Sequence, residues 1–280
     1  MGISEMINDA IEYILIHIEE NVTAESVAEH CHVSRFYFTR IFKQQTGESV
    51  YAFIKKKKLE FSAFRLKSES DRSITEIASQ FGYSSSNYSS AFSDYFGMSP
   101  NKFRHEHFGS EGGIFDPENK SVRKVFDEMD EKIRIKDLPE YSIIYERRIG
   151  AYSDMKKYWR EFCDRYDRFC TPDTLYFERT FDDPSITDAD KCLYDICMSD
   201  EGLQGIADND STCHGTMNGG RFAVCPFKGY LSEINQFHHK LMGIWLPLSG
   251  NTIDTRYSYD VYHKVTEDYY MEFDVCIPVK

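Results

Sequence analysis

No apolar run in this chain approaches the ~20 residues that a membrane-spanning helix needs, and no basic-then-apolar leader opens it. A cytoplasmic location is therefore expected. Cysteine pairing motifs are absent too. The eight cysteines stand at 31, 163, 170, 192, 197, 213, 225 and 276 with no CxxC and no metal-like spacing. Reduced, mostly buried thiols are expected, with no metal and no cofactor. Positive charge is in short supply: 33 Lys and Arg against 46 Asp and Glu leave a formal charge of −13, which argues against the chain as a whole attracting a polyanion. Apolar residues are not scarce. At 41%, with 15% aromatics, they exclude a disordered chain, and 280 residues suffice for two domains with separate cores.

The first of these carries an internal repeat. At an offset of fifty, Val27-Ala28 falls on Ile77-Ala78, Phe42 on Phe92, Gly47-x-Ser49 on Gly97-x-Ser99, and Phe53 on Phe103. Each copy reads as helix, tight turn, helix. In the second copy Ser73 and Glu76 form a capping box, Ile77, Ala78 and Phe81 make an apolar face, and Gly82 supplies a turn with positive φ. The following helix repeats Tyr88, Ala91, Phe92, Tyr95 and Phe96, ends at Gly97 and is followed by a fresh cap, Ser99-Pro100. In the first copy Thr23 and Ser34 are the caps. Ser49 starts a long connecting helix through Phe53, Leu59, Ala63 and Leu66, and Ile7, Ile11, Ile14 and Ile18 place one more helix ahead.

The stretches "VAEHCHVSRFYFTRIFKQQTGES" and "ITEIASQFGYSSSNYSSAFSDYFGMSPNKFR" resemble the DNA-binding domain of the AraC/XylS family of bacterial transcription regulators. The resemblance covers about 100 residues. It implies an all-α domain with two helix-turn-helix units at 1–108, and double-stranded DNA as partner, with RNA polymerase as a further one. The first recognition helix would then present Arg35, Phe36, Thr39 and Arg40 to the major groove, with Lys43 behind them; arginine suits guanine edges and Phe36 a thymine methyl. The second departs from the family. Ser90, Ser93 and Asp94 stand where basic residues are common, and its outward face, Ser84, Ser85, Ser86, Asn87, Ser89 and Ser90, hydrogen-bonds without charge.

Local charge favours this assignment where the total does not. Between Arg35 and Arg72 ten bases face four acids, a balance of +6, while residues 109–280 hold 21 bases and 32 acids. Screening over ~8 Å mutes distant acids. The run Lys55, Lys56, Lys57, Lys58 reads either as a solvated helix face or, lying between the two readers, as a phosphate site. The two recognition helices, joined by one connecting helix, are expected to face groove segments about 34 Å apart.

A linker rich in glycine and polar residues is expected at 109–121, "GSEGGIFDPENKS", and a second domain at 122–280. There the pattern changes to short strands separated by amphipathic helices, an α+β arrangement. "YSIIYERRIGAYSDMKKYWREF" and "FAVCPFKGYLSEINQFHHKLMGIW" each run from strand through a tyrosine corner into a helix, so two similar halves are expected, with Tyr152 and Tyr230 at equivalent corners. With "DDPSITDADKCLYDIC", "GGRFAV", "KGY" and "WLPLSG", the segment resembles the GyrI-like effector-binding domain. That resemblance implies a groove across a sheet for a lipophilic, often cationic, small molecule. Trp245 and Asp260 match its groove positions, with Tyr194 and Tyr262 as walls, and Asp260 replaces the glutamate of many relatives. The multidomain chain thus reads as a transcription regulator with an effector-sensing domain rather than an enzyme. The competing readings are a hydrolase, in which Asp260 and Tyr262 position water, and a cysteine methyl acceptor, whose metal cluster is missing from the sequence.

Overall fold

A computed structural model describes residues 3–69, 72–107, 118–200, 202 and 212–280. The chain divides into two compact units, Met1–Phe115 and Asp116–Lys280. The expected linker lies outside the described residues except at 118–121, where Lys120 already opens a helix.

The first unit is all helix: α1 (Ile3–Ile16), α2 (Ala24–His30), α3 (Arg35–Thr46), α4 (Val50–Ser68), α5 (Ile74–Gln80), α6 (Ser85–Phe96) and α7 (Pro100–His107). Elements α2–α3 and α5–α6 begin and end fifty residues apart because their caps do. Thr23 and Ser26 exchange side-chain and backbone hydrogen bonds at 3.0 and 3.1 Å, as do Ser73 and Glu76 at 2.7 and 3.2 Å. Ser34 and Ser84 cap the second helix of each unit, and Gly47 and Gly97 close them in the left-handed conformation. The turn between helices differs: Gly82 sits at φ +80°, while the equivalent residue of the first unit, His32, is held at φ +56°.

Helix α4 is the spine, packed on more than one side. Lys58 Nζ donates to the carbonyls of Glu20 at 3.0 Å and Phe81 at 3.2 Å, tying the chain after α1 to the end of α5. Arg65 holds Glu19 and Glu69 at 2.7 and 2.9 Å. From α6, Tyr88 donates to Ser62 at 2.9 Å and Tyr95 to Glu60 at 2.6 Å. These buried polar contacts fix both helix-turn-helix pairs, α2–α3 and α5–α6, on one helix.

In the second unit α8 (Lys120–Asp130) precedes β1 (Arg134–Leu138), β2 (Tyr141–Ile149), α9 (Met155–Tyr166), β3 (Tyr176–Thr180), β4 (Leu193–Ser199), β5 (Cys213–Met217), β6 (Gly220–Tyr230), α10 (Ile234–Lys240), β7 (Tyr259–Val265) and β8 (Tyr270–Pro278). One antiparallel sheet has the order β1-β6-β8-β7-β3-β4-β2-β5. The order is palindromic: half β2-α9-β3-β4 repeats as β6-α10-β7-β8, the halves meet at β3–β7, and each donates a strand to the other's edge. Pro139-Glu140 joins β1 to β2 and Asn218-Gly219 joins β5 to β6, yet each joined pair is six strands apart. Flat, that is about 29 Å, whereas a two-residue link reaches about 10 Å. The sheet must curl until its edges meet. The two links do touch: a Cβ on Gly219 would lie 2.7 Å from the backbone of Leu138, Pro139 and Glu140, so only glycine fits.

Alternation then sorts the strands. Ile143, Tyr145, Phe177, Cys197, Phe222, Val224 and Tyr259 pack on one face, while Ile144, Tyr194, Ile196 and Met198 pack with Phe162 and Tyr166 of α9 on the other. All eight cysteines are free thiols; Cys163 is exposed and Cys170 half-buried, the other six buried. Among the described residues no helix is long and apolar enough to cross a membrane, and no cluster of three or more His, Cys, Asp or Glu could hold a metal.

Candidate functional site

The first unit offers a helix face. Phe38, Ile41 and Phe42 turn α3 inward, so Arg35, Phe36, Arg40 and Lys43 stand exposed and Thr39 half-buried beside them. Phe36 is 80% exposed, a cost that an apolar contact from a partner would remove. Arg35 pairs with Glu25, both about half exposed, and such a pair is weak enough for a phosphate or base edge to replace. Arg40 lies 5.8 Å from the Tyr37 ring, and Thr39 donates to the Phe36 carbonyl at 3.2 Å. On α6, buried Tyr88 and Phe92 leave Ser84, Ser85, Ser86, Asn87, Ser89 and Ser90 exposed. Three have partly committed side chains: Ser84 accepts from the Asn87 backbone N–H at 3.4 Å and shares a hydrogen bond with Ser86 at 3.5 Å, and Ser85 donates to Thr75 at 3.3 Å.

The lysine run corrects the sequence expectation. Lys55 is exposed, but Lys56 pairs with Glu48 over the Phe53 ring, Lys57 is 1% exposed beside Glu60 at 3.1 Å, and Lys58 is bound to the two carbonyls above. Four consecutive helical residues fan through about 300°, and α4 is packed on several sides, so one cation of the four faces outward.

The second unit gathers a different group. Glu178 of β3 lies directly across from Asp260 of β7, flanked in the same row by Ile196 of β4 and Val275 of β8. This is the face carrying α9: Trp159 donates its indole N–H to Glu178 at 2.9 Å, and Tyr262 donates its hydroxyl to the same carboxylate at 3.2 Å. Trp159 stands 5.7 Å from Tyr262 and 6.3 Å from Tyr176 between ring centroids. Tyr262 continues to Phe273 at 5.1 Å, Phe273 to Phe227 at 4.7 Å, and Phe227 to Phe237 of α10 at 4.9 Å. Both helices therefore lie over one face, with two carboxyls and a chain of aromatic rings between them. Glu178 and Asp260 are 5% and 8% exposed. Burial pushes Glu178 up to about 7 against the lowering pull of its two donors, and burial with the charge of Glu178 pushes Asp260 well above the usual carboxylate range. Such an arrangement can neutralise a cation and cover it with π faces.

Of the residues singled out from sequence, Tyr152, Asp260 and Tyr262 fall in or beside this group. Tyr152 donates to the Asp182 carbonyl at 2.5 Å and packs edge-on against Tyr194 at 5.5 Å. Tyr194 is fully buried and supports Tyr152 rather than forming a wall itself. Trp245 does not join: it is 1% exposed in the π-helical turn Leu241–Trp245 and donates to Asp130 of α8 at 2.9 Å. Tyr230 ends β6 48% exposed, its ring 5.6 Å from Tyr270. Sequence reading missed Glu178 and Trp159. A carboxylate inside the alternating run "LYFERT" was the available signal, because a charged residue on the helix-facing side of a central strand needs a reason.

A family model described as "Helix-turn-helix domain" matches residues 27–106, and one described as "GyrI-like small molecule binding domain" matches residues 131–280. The chain is 30% identical over 99 residues to the multiple antibiotic resistance protein MarA of Salmonella typhimurium, spanning 35% of this chain and 77% of that protein. It is 23% identical over 255 residues to the right origin-binding protein of Escherichia coli, spanning 88% of this chain and 86% of that one. Among solved structures, the C-terminal domain of AraT, a response regulator from Geobacillus stearothermophilus, is 35% identical with a TM-score of 0.37, covering 40% of this chain and 93% of that one.

Proposed function

This chain belongs to the GyrI-like small molecule binding family and carries an AraC-type helix-turn-helix domain, which makes it a DNA-binding transcription regulator; we propose that what it senses is a lipophilic cation held over Glu178 and Asp260. The observation that supports this most is the acid pair itself. Among the described residues no Lys, Arg or His pairs with either carboxyl, although both are buried among rings. A ligand's positive charge supplies the missing partner, and each cation–ring contact adds roughly 0.5–2 kcal/mol.

On the DNA side, α3 supplies the dominant contacts through Arg35, Phe36, Thr39, Arg40 and Lys43, with Lys55 on phosphate. Ser85, Ser86, Asn87, Ser89 and Ser90 of α6 add uncharged readout. Ligand occupancy changes promoter affinity because the two binding events favour different states of the chain. A thermal-shift screen of lipophilic cations, followed by promoter binding with and without a hit, tests the reading. Stabilisation by RT ln(1 + [L]/Kd) with altered DNA affinity supports it, and stabilisation only by neutral or anionic compounds defeats it. The hydrolase alternative draws on the same carboxyls. Turnover of an electrophilic compound that is lost in Asp260→Asn would favour that reading instead.

A further inference from the structure

Resting on the cation-sensing reading, we propose that Glu178 and Asp260 act as one acid unit that retains at least one proton in the ligand-free chain and surrenders it when a permanently charged lipophilic cation binds over the pair.

The geometry requires some such exchange. The two residues are register partners on adjacent antiparallel strands, where facing side chains start about 4.5–5.5 Å apart at Cβ. Two anions so placed repel, and here water cannot screen them: both are nearly closed to solvent, with Ile196 and Val275 on either side. Among the described residues, neutral donors serve only one of the pair, Trp159 and Tyr262 both donating to Glu178. Among the described residues, the surroundings supply no positive charge that could replace the proton. From β3 comes Tyr176, from β7 Tyr262, from β4 Tyr194, from the corner before α9 Tyr152 with the carbonyl of Asp182, and all four phenols are pushed above their usual range. From β8, burial raises the Cys276 thiol and the charge of Asp260 adds to the shift. On α10, His238 is pushed down to about 4 by burial and is neutral at physiological pH, the charge of Asp183 opposing that shift. Arg148, whose charge reaches Tyr194, is held by Glu146. A cation entering over the pair removes the repulsion that kept the proton. The carboxyl O–H then ionises, its proton leaves to solvent or buffer, and the net charge of the site is preserved. A neutral ligand of the same shape gains nothing from that release.

The consequence is a sensor whose affinity depends on pH although its ligand does not titrate. Calorimetry on the full chain, in phosphate and in Tris at about pH 6, 7 and 8.5, separates proton release from binding heat. The probes are three permanent cations: benzyltributylammonium, tetraphenylphosphonium and an N-methylacridinium. The expected result is release of close to one proton per ligand at the lowest pH, falling toward none at the highest, with affinity weakening up to about tenfold per pH unit below the titration of the pair. The double variant Glu178→Gln/Asp260→Asn should show no proton release and an affinity independent of pH. If it does not fold, the wild-type measurement decides alone. Tight binding with no proton release and constant affinity across the range overturns the acid-unit proposal and leaves cation sensing intact. If none of the three cations binds at any pH, the sensing reading fails and this proposal falls with it.

Discussion

Replacing Lys57 and replacing Lys55 should have opposite consequences, although the two lie two residues apart in the same basic run. Lys57 is 1% exposed and its ammonium sits 3.1 Å from Glu60, itself 3% exposed. Removing one member of a buried pair costs about 3–5 kcal/mol, because the other charge stays buried without compensation. Here the Tyr95 hydroxyl still donates to Glu60 at 2.6 Å, which places Lys57→Met near the lower end. With a urea slope of ~1–3 kcal/mol per M, a 3 kcal/mol loss lowers the unfolding midpoint of the first unit by about 1–3 M. Lys55→Ala, on the exposed side, should leave that midpoint within the range of ordinary surface changes, about 0.5 kcal/mol. Promoter binding reads the other way. If Lys55 touches a phosphate, its loss flattens the slope of log K against log salt by ~0.9, while Lys57→Met, assayed well below its unfolding temperature, leaves the slope alone. Urea melts and a salt titration on both variants suffice. A flattened salt slope in Lys57→Met without loss of stability would place that ammonium against the duplex rather than against Glu60, and the burial of Lys57 could not then account for its role.

Ranking the two recognition helices is a second check: Arg40→Ala should weaken promoter binding at least tenfold more than Asn87→Ala, and comparable losses in a gel-shift or anisotropy assay would contradict the dominance of α3. The turns differ in strain, so Gly82→Ala at φ +80° should cost about 1 kcal/mol in a melt, while His32→Gly at φ +56° should be neutral or mildly stabilising. The ligand-free second unit should lose stability as pH rises from about 4.5 to about 7. The folded state keeps the Glu178 proton through a window in which the unfolded chain has released it, so folding binds protons and is disfavoured by their withdrawal. Glu178→Gln should make that slope less steep by the share of Glu178, while the raised Asp260 keeps its own share and the lowered His238 opposes both, and a pH dependence identical to wild type in the variant would place its origin elsewhere.

Much of this molecule was legible without coordinates because its signals are local. A cap and its partner lie three residues apart, a turn glycine lies beside the helix that it ends, and an apolar stripe declares itself within two turns. Hence Ser73 with Glu76, Gly97 before Ser99-Pro100, and the fifty-residue period all announced the helical unit, and the strand-corner-helix pattern around Tyr152 and Tyr230 announced two similar halves. What depended on distant partners was not legible. Whether a lysine in α4 meets water or Glu60 depends on how the helices around it pack, so the run at 55–58 looked like one face and is divided among several. Trp245 carried an aromatic suited to a groove, but its indole N–H is taken by Asp130, 115 residues away. The acid pair is the clearest case. Glu178 and Asp260 are separated by 82 positions, and only the meeting of β3 with β7 at the centre of the curled sheet makes two unremarkable carboxylates into neighbours that repel each other when both are charged. Composition and periodicity determine which elements form; the chemistry of a site belongs to contacts between elements, and those exist only once the sheet has closed on itself.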